Sequence, residues 1–357
     1  MAVYAVIMAG GTGTRLWPMS RRRTPKQLIP LIDDRSLYQG TISRIRPLIE
    51  PENTFVVAGA DLVPKLAEQS PGIPVKNFIV EPQGKGTAPC IGLAAIHIMS
   101  RDPDGVMAVL PADHHVSEAE KFHKAIRSCL HAAEMGHLVT MGIKPTYPST
   151  GYGYIKQGPM IHVLEGNPVH AVEKFIEKPD EETAARLLRE GSYTWNSGMF
   201  VWKAARIMEE LGIHMPLLHW SLAKIAENIG KPSYPSVLHS TWAGVPTETI
   251  DYGVMEKAED VAVVPTEMGW SDIGSWSSLK KQLIEDENHN TSRGDNILIQ
   301  TSGSMVLGGK RLIAAIGLRD ILIVDTEDAL LVCQLRHDQR VRDVVAALKA
   351  DDRLGYL

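Results

Sequence analysis

Close to the amino end a glycine-rich run, Gly10-Gly11-Thr12-Gly13-Thr14, leads into Arg15-Leu16, and a second cation follows at Lys26 within Pro25-Lys26-Gln27. Glycines let backbone N–H groups approach an anion without side-chain interference. An arginine forks two oxygens and a lysine acts as a point charge, so this pair suits a triphosphate or a pyrophosphate. Counting removes two familiar phosphate loops. A dinucleotide fingerprint starting at Gly11 and Gly13 would need Gly or Ala where Leu16 stands. A Walker A loop needs Gly-Lys-Ser/Thr, and no such triplet occurs. The competing reading is a glycine turn with two surface cations. Arg21-Arg22-Arg23, in the same loop, reads as a solvated basic patch rather than a phosphate contact.

Such a loop must be held by rigid elements. Val3–Met8 reads as a continuous apolar strand of the kind buried on both faces in a parallel sheet. Downstream, a helical pattern at 36–48 leads to a strand at 54–58, and a further helical stretch leads to a strand at 78–80. A helix is expected over 87–99, a strand over 106–110, a helix over 118–135 and a strand over 138–142. This alternation predicts an α/β domain with a mixed, mostly parallel sheet and right-handed crossovers. From Tyr147 the rhythm changes to short extended pieces (153–156, 169–176, 198–202) mixed with helices. The polar, Asn-rich stretch 286–295 ends near Gly294 and reads as a linker. Beyond it, short strands at 297–300, 312–316, 321–324 and 329–333 and a helix near 338–349 predict a small β-rich domain resembling a few coils of a left-handed β-helix. The expected division is therefore 1–286 and 287–357.

The 357 residues are 44% hydrophobic and 22% charged, enough for a large core, and the net charge of -5 gives no general pull towards nucleic acid. Cys90, Cys129 and Cys333 are far apart and odd in number, which points to buried, inert thiols in a reducing compartment. The apolar run from Ala2 to Ala9 has no basic residue before it and breaks at Gly10-Gly11, unlike a signal peptide, and no stretch is long enough to span a bilayer. A soluble, cytoplasmic protein with no membrane partner is expected.

The motif order resembles the sugar-nucleotide pyrophosphorylases. Strand, Gly10–Pro18 (GGTGTRLWP) and Pro25–Gln27 match their signature loop, and the ending Leu16-Trp17-Pro18 is similar to the mannose-1-phosphate guanylyltransferases among them. Further blocks follow in family order: Glu81-Pro82 with Thr87-Ala88-Pro89; Leu110-Pro111-Ala112-Asp113-His114; Phe175-Ile176-Glu177-Lys178-Pro179 with Trp195-Asn196-Ser197-Gly198; and Trp270-Ser271-Asp272-Ile273-Gly274-Ser275-Trp276. The resemblance implies a Rossmann-like nucleotidyltransferase domain and a β-helix-like C-terminal domain. It also implies a homodimer, and the absence of the cupin domain with isomerase activity that some longer relatives carry.

The implied reaction joins GTP to mannose 1-phosphate, giving GDP-mannose and pyrophosphate. A sugar-phosphate oxygen attacks the α-phosphorus. That nucleophile is already anionic near neutral pH, because a phosphate monoester's second pKa is about 6, so no strong general base is required. Alignment and charge neutralisation should carry the rate, with Arg15, Lys26, Asp113 and Asp272 as the catalytic set. The resemblance places Mg²⁺ on Asp113 and Asp272, with phosphate oxygens and waters completing an octahedral site. The nucleotide would also touch Gly10, Gly11, Thr12, Gly13, Thr14 and Pro111. Glu81 would accept the N1–H and N2–H₂ of guanine, a donor pair adenine lacks, assisted by Lys85, Thr87 and Ala88. Thr87 opens a helix, so a capping role competes with a ligand contact. A larger polar residue is usual in the family where Gly86 stands. For the sugar phosphate the implied residues are Gly153, Glu177, Lys178, Asn196 and Asp251, the last with a structural role as its competitor. Trp270 and Trp276 are expected to frame the Asp272 turn. Adjacent His114 and His115 lack ligand spacing for zinc.

Alternatives within the class are another sugar (glucose or a heptose) or a uracil or thymine base. Outside it stand a non-catalytic sugar-nucleotide sensor, which could lose Arg15, Lys26 or a metal carboxylate without losing the fold, and an NAD-binding oxidoreductase, which fails on the missing third glycine.

Overall fold

The computed structural model describes residues 2–11 and 13–357. The chain packs as two compact units. One comprises residues 1–10, 41–112 and 116–270; the other comprises 11–40, 113–115 and 271–357.

The first unit is built on a nine-stranded sheet. Its order is Phe78–Glu81, Thr54–Gly59, Val3–Met8, Val106–Pro111, Tyr193–Lys203, Leu138–Ile143, Val261–Thr266, Asn167–Ile176 and Tyr154–Leu164. The strands Tyr193–Lys203 and Asn167–Ile176 run against the others, so the sheet is mixed with most strands parallel. Val3–Met8 lies between Thr54–Gly59 and Val106–Pro111, pairing Ile7 with both Val56 and Leu110. That central place explains an apolar run with no polar alternation. The helix Thr87–Met99 is buried nearly all round, from Ala88 to Ile98, and fills one side of the core with Ile91, Leu93 and Ile98. The helix Ala119–Glu134 is amphipathic and buries Phe122, Ile126 and Cys129. Trp202, Trp242 and Phe200 complete the same core.

All three extended pieces expected after Tyr147 are longer than their sequence pattern suggests. Tyr154–Leu164 and Asn167–Ile176 form one antiparallel hairpin, and Tyr193–Lys203 pairs with its first strand. The outer end of the hairpin leaves Met160 and Val163 exposed, which hides the strand in a pattern search.

In the second unit, Thr291–Arg293, Met305–Leu307 and Ile321–Asp325 stack in parallel, with Leu330–Gln334 antiparallel at the edge. Asn296–Ile299 and Ile313–Ile316 form a separate parallel pair. Successive short parallel strands on two faces are the pattern of β-helix coils. The linker expected at 286–295 is instead structured. Asn290 is buried and donates to Thr301 O at 2.8 Å while accepting from Ser304 N at 3.0 Å, and the strand begins at the next residue.

The glycine-loop segment shares one core with this β-rich part. Leu16, Trp17, Ile29 and Leu31 pack with Trp276, Met305, Leu322, Val324, Val341 and Leu348. The Trp17 indole donates to Tyr356 O at 2.7 Å, and Arg293 donates to Pro30 O and Ile32 O, both at 3.1 Å. Arg21 departs from the solvated-patch reading. Its guanidinium bonds the main-chain oxygens of Pro18 and Tyr356, pairs with Asp328 at 2.7 Å and lies over the Trp17 ring.

Candidate active site

Gly11 and Gly13 both have left-handed φ angles, 86° and 59°, which a side chain would strain. Gly13 also has a steric reason to be glycine: a Cβ there would lie 2.6 Å from the Cβ of Lys26. Thr14–Leu16 forms a single 3₁₀ turn anchored by buried Leu16. Arg15 is exposed, with no hydrogen-bond or ion-pair partner among the described residues, so its guanidinium is available to a ligand. Thr12 lies outside the described residues.

Lys26 is buried, and a buried ammonium must find compensating oxygens. Its Nζ sits 2.8 Å from Asp113 Oδ2, and donates to Asp272 O at 2.7 Å and Ile273 O at 3.3 Å. Asp113 and the Asp272 turn, far apart in sequence, therefore meet on one nitrogen. Ile273 takes a φ of 45°, unusual for a β-branched residue, and this turns the two carbonyls onto the lysine. The Asp272 carboxylate accepts from Gly274 N at 3.1 Å. Burial works to raise the Asp113 pKa, but the charges of Lys26 and His114 outweigh it and hold the carboxyl below its ordinary value. The motif pattern assigns Lys26 to phosphate; the structure sets it against the two aspartate segments. Trp276 lies in the core beneath this turn, as expected, and donates to Trp17 O at 3.3 Å.

In the other unit, Glu81 ends the strand Phe78–Glu81. Burial pushes its pKa up to about 7, against a 3.3 Å hydrogen bond from Lys85 N. The Lys85 side chain is buried, and its ammonium donates to Ala243 O at 3.0 Å and Val245 O at 2.6 Å. Thr87 makes no side-chain cap on its own helix; its Oγ1 accepts from Ile250 N at 2.9 Å. Ala88 N donates to Glu248 O at 3.2 Å. A Cβ on Gly86 would collide with that same Glu248 oxygen, so a larger residue has no room there.

The five residues expected for a sugar phosphate do come together. Asn196 Nδ2 donates to Asp251 Oδ1 at 2.7 Å, while its Oδ1 accepts from Thr140 Oγ1 at 3.1 Å. Glu177 pairs with Lys178, and a Cβ on Gly153 would strike the Glu177 carboxylate. Asp251 opens a wide, π-type turn through Met255. Burial first, then the nearby Glu177 charge, raises its pKa to about 6. Lys178 holds a φ of 45°. Two residues that carry no motif signal hold these segments: Glu256, which accepts Glu177 N at 3.1 Å, and Glu248, whose main chain bonds that of Lys85 and Ala88.

A nucleotidyl transferase family model matches residues 4–289, and a model for the MannoseP isomerase/GMP-like β-helix domain matches 294–348. Xanthan biosynthesis protein XanB of Xanthomonas campestris pv. campestris (strain B100) is 41% identical over 98% of this chain and 74% of its own length. A mannose-1-phosphate guanylyltransferase of Klebsiella pneumoniae is 40% identical over 98% of this chain and 75% of its own. Among solved structures, one described as a mannose-1-phosphate geranyltransferase from Thermus thermophilus aligns with a TM-score of 0.89 at 34% identity, covering 98% of this chain and all of that one.

Gly13→Ala is expected to lower the thermal midpoint clearly, because it adds both a steric clash with Lys26 and a left-handed φ. Gly10→Ala, where a Cβ meets open space, should leave the midpoint within about 1 °C of the parent, as a surface change away from special features does. Thermal unfolding of the two variants side by side checks this.

Proposed function

The chain belongs to the nucleotidyl transferase family, and from that premise we propose that it transfers GMP from GTP to α-D-mannose 1-phosphate, giving GDP-mannose and pyrophosphate. The observation that carries the reading is Lys26, whose one ammonium gathers the Asp113 carboxylate and the Asp272 turn beside the glycine loop. In the reaction a sugar-phosphate oxygen bonds to the α-phosphorus as the bond to pyrophosphate breaks. Arg15 and the loop amides neutralise the departing pyrophosphate, and Lys26 fixes the aspartates. Glu81 reads the guanine edge, while Glu177, Lys178, Asn196 and Asp251 take the sugar and its phosphate.

The donor set fits a divalent cation. The charges of Lys26 and His114 hold the Asp113 carboxyl below its ordinary value, which keeps an anionic oxygen donor in place. Two carboxylates from Asp113 and Asp272, with remaining positions left to phosphate and water oxygens, suit Mg²⁺ rather than zinc. When bound, Mg²⁺ would offset charge on the phosphates. The reading further assigns 1–286 to catalysis and 287–357 to a small β-rich domain, supported by family matches over 4–289 and 294–348. It places the enzyme in the cytoplasm as a homodimer. No helix among the described residues is long and apolar enough to cross a membrane, and Cys90, Cys129 and Cys333 are free thiols.

GTP with mannose 1-phosphate is expected to give the fastest Mg²⁺-dependent pyrophosphate release in a screen of nucleoside triphosphates and sugar phosphates. Asp113→Asn and Asp272→Asn should each lower that rate by about 100-fold or more, with unchanged circular dichroism. Preference for UTP or dTTP, or near-parent rates in both variants, would overturn the proposal.

Glu81 adds a pH signature. Only its carboxylate accepts both guanine N–H donors, and burial pushes its pKa up to about 7. Guanine-nucleotide affinity should therefore fall as pH drops below 7, approaching about tenfold per unit. Glu81→Gln should bind weakly and without this slope, as titration calorimetry from pH 5.5 to 8 would read.

A further inference from the structure

The segment from Trp242 to Ile250 is fastened along its whole length to residues 83–88, whose Lys85 N donates to the base-reading Glu81. Trp242 Nε1 donates to Gln83 O at 2.8 Å, and Lys85 Nζ takes Ala243 O and Val245 O. Glu248 N donates to Lys85 O at 2.9 Å, and Ala88 N returns a bond to Glu248 O at 3.2 Å. Ile250 N ends the series on Thr87 Oγ1. The next residue is Asp251, which holds Asn196 and faces the charge of Glu177. Gly86 allows the two backbones to meet, since any side chain there would strike Glu248 O.

We propose that Lys85 and Thr87 are positioning residues which tie segment 242–250 to the base pocket, so that a bound guanine nucleotide sets the place of Asp251 and tightens sugar-phosphate binding. Neither side chain touches the ligand in this role. The inference rests on the functional reading above and deepens it. Two elements joined by a series of bonds move as one, and a nucleotide that orders residues 81–88 orders the chain leading into Asp251. The coupling is reciprocal, so the sugar phosphate must tighten nucleotide binding by the same factor.

The test uses the full chain with mannose 1-phosphate and α,β-methylene-GTP, which cannot release pyrophosphate. The dissociation constant for mannose 1-phosphate is measured with and without the saturating analogue, in the parent, Lys85→Met, Lys85→Arg and Thr87→Val. In the parent the analogue should tighten the sugar phosphate by about 5-fold or more. In Lys85→Met and Thr87→Val the ratio should fall to near unity while each ligand alone still binds, and Lys85→Arg should recover part of it. If Lys85→Met does not fold, Thr87→Val, nearly isosteric, decides alone. A parent ratio of one, or an unchanged ratio in folded variants, overturns the proposal. A parent that binds neither ligand overturns the functional reading and this inference together, and is told apart by the single-ligand titrations.

Discussion

A lysine ammonium withdrawn from water is costly unless oxygens surround it. Lys26 meets that demand with one carboxylate oxygen of Asp113 and two main-chain carbonyls of the Asp272 turn. Much of the second unit follows from this arrangement. Gly13 must lack a side chain to let Lys26 in, Ile273 must adopt a left-handed conformation to aim its carbonyl, and the Asp113 carboxyl is held below its ordinary pKa, against its burial, by the charges of Lys26 and His114. A charge that looks like a phosphate hook in the sequence is, in the folded chain, also the point where Asp113 and the Asp272 turn meet.

The shared core of the glycine-loop segment and the β-rich part gives that fixing point its rigidity. Leu16 and Trp17 follow Arg15 in sequence and are buried among Trp276, Met305, Val324 and Leu348. The β-rich part therefore acts as a scaffold for the loop.

Long apolar elements were legible in the sequence because burial alone dictates them. Val3–Met8 has the expected bounds, and the helix Thr87–Met99 agrees at both ends. Family motifs also singled out residues that lie together in the folded chain, as Glu177, Lys178, Asn196 and Asp251 do. What failed was composition used as a proxy for solvation. Asn290 looked like linker because it is polar, yet its amide satisfies backbone groups inside the β-structure. Arg21 looked like a solvated cation, yet it bonds the end of the chain. Lys85 and Thr87 carry the motif but point at a segment some 160 residues later, by offsets of 158 to 163. Spacing in sequence holds no information on such partners.

The claim that Lys26 and Asp113 are energetically one unit is open to a double-mutant cycle. The unfolding free energies of the parent, Lys26→Met, Asp113→Asn and the double variant give the coupling directly in denaturant titrations. Asp113→Asn leaves the buried Lys26 ammonium without its carboxylate and Lys26→Met leaves the part-exposed Asp113 carboxylate unpaired, so the double variant should be more stable than the sum of the two losses by about 1–3 kcal/mol. Strictly additive losses would contradict the account.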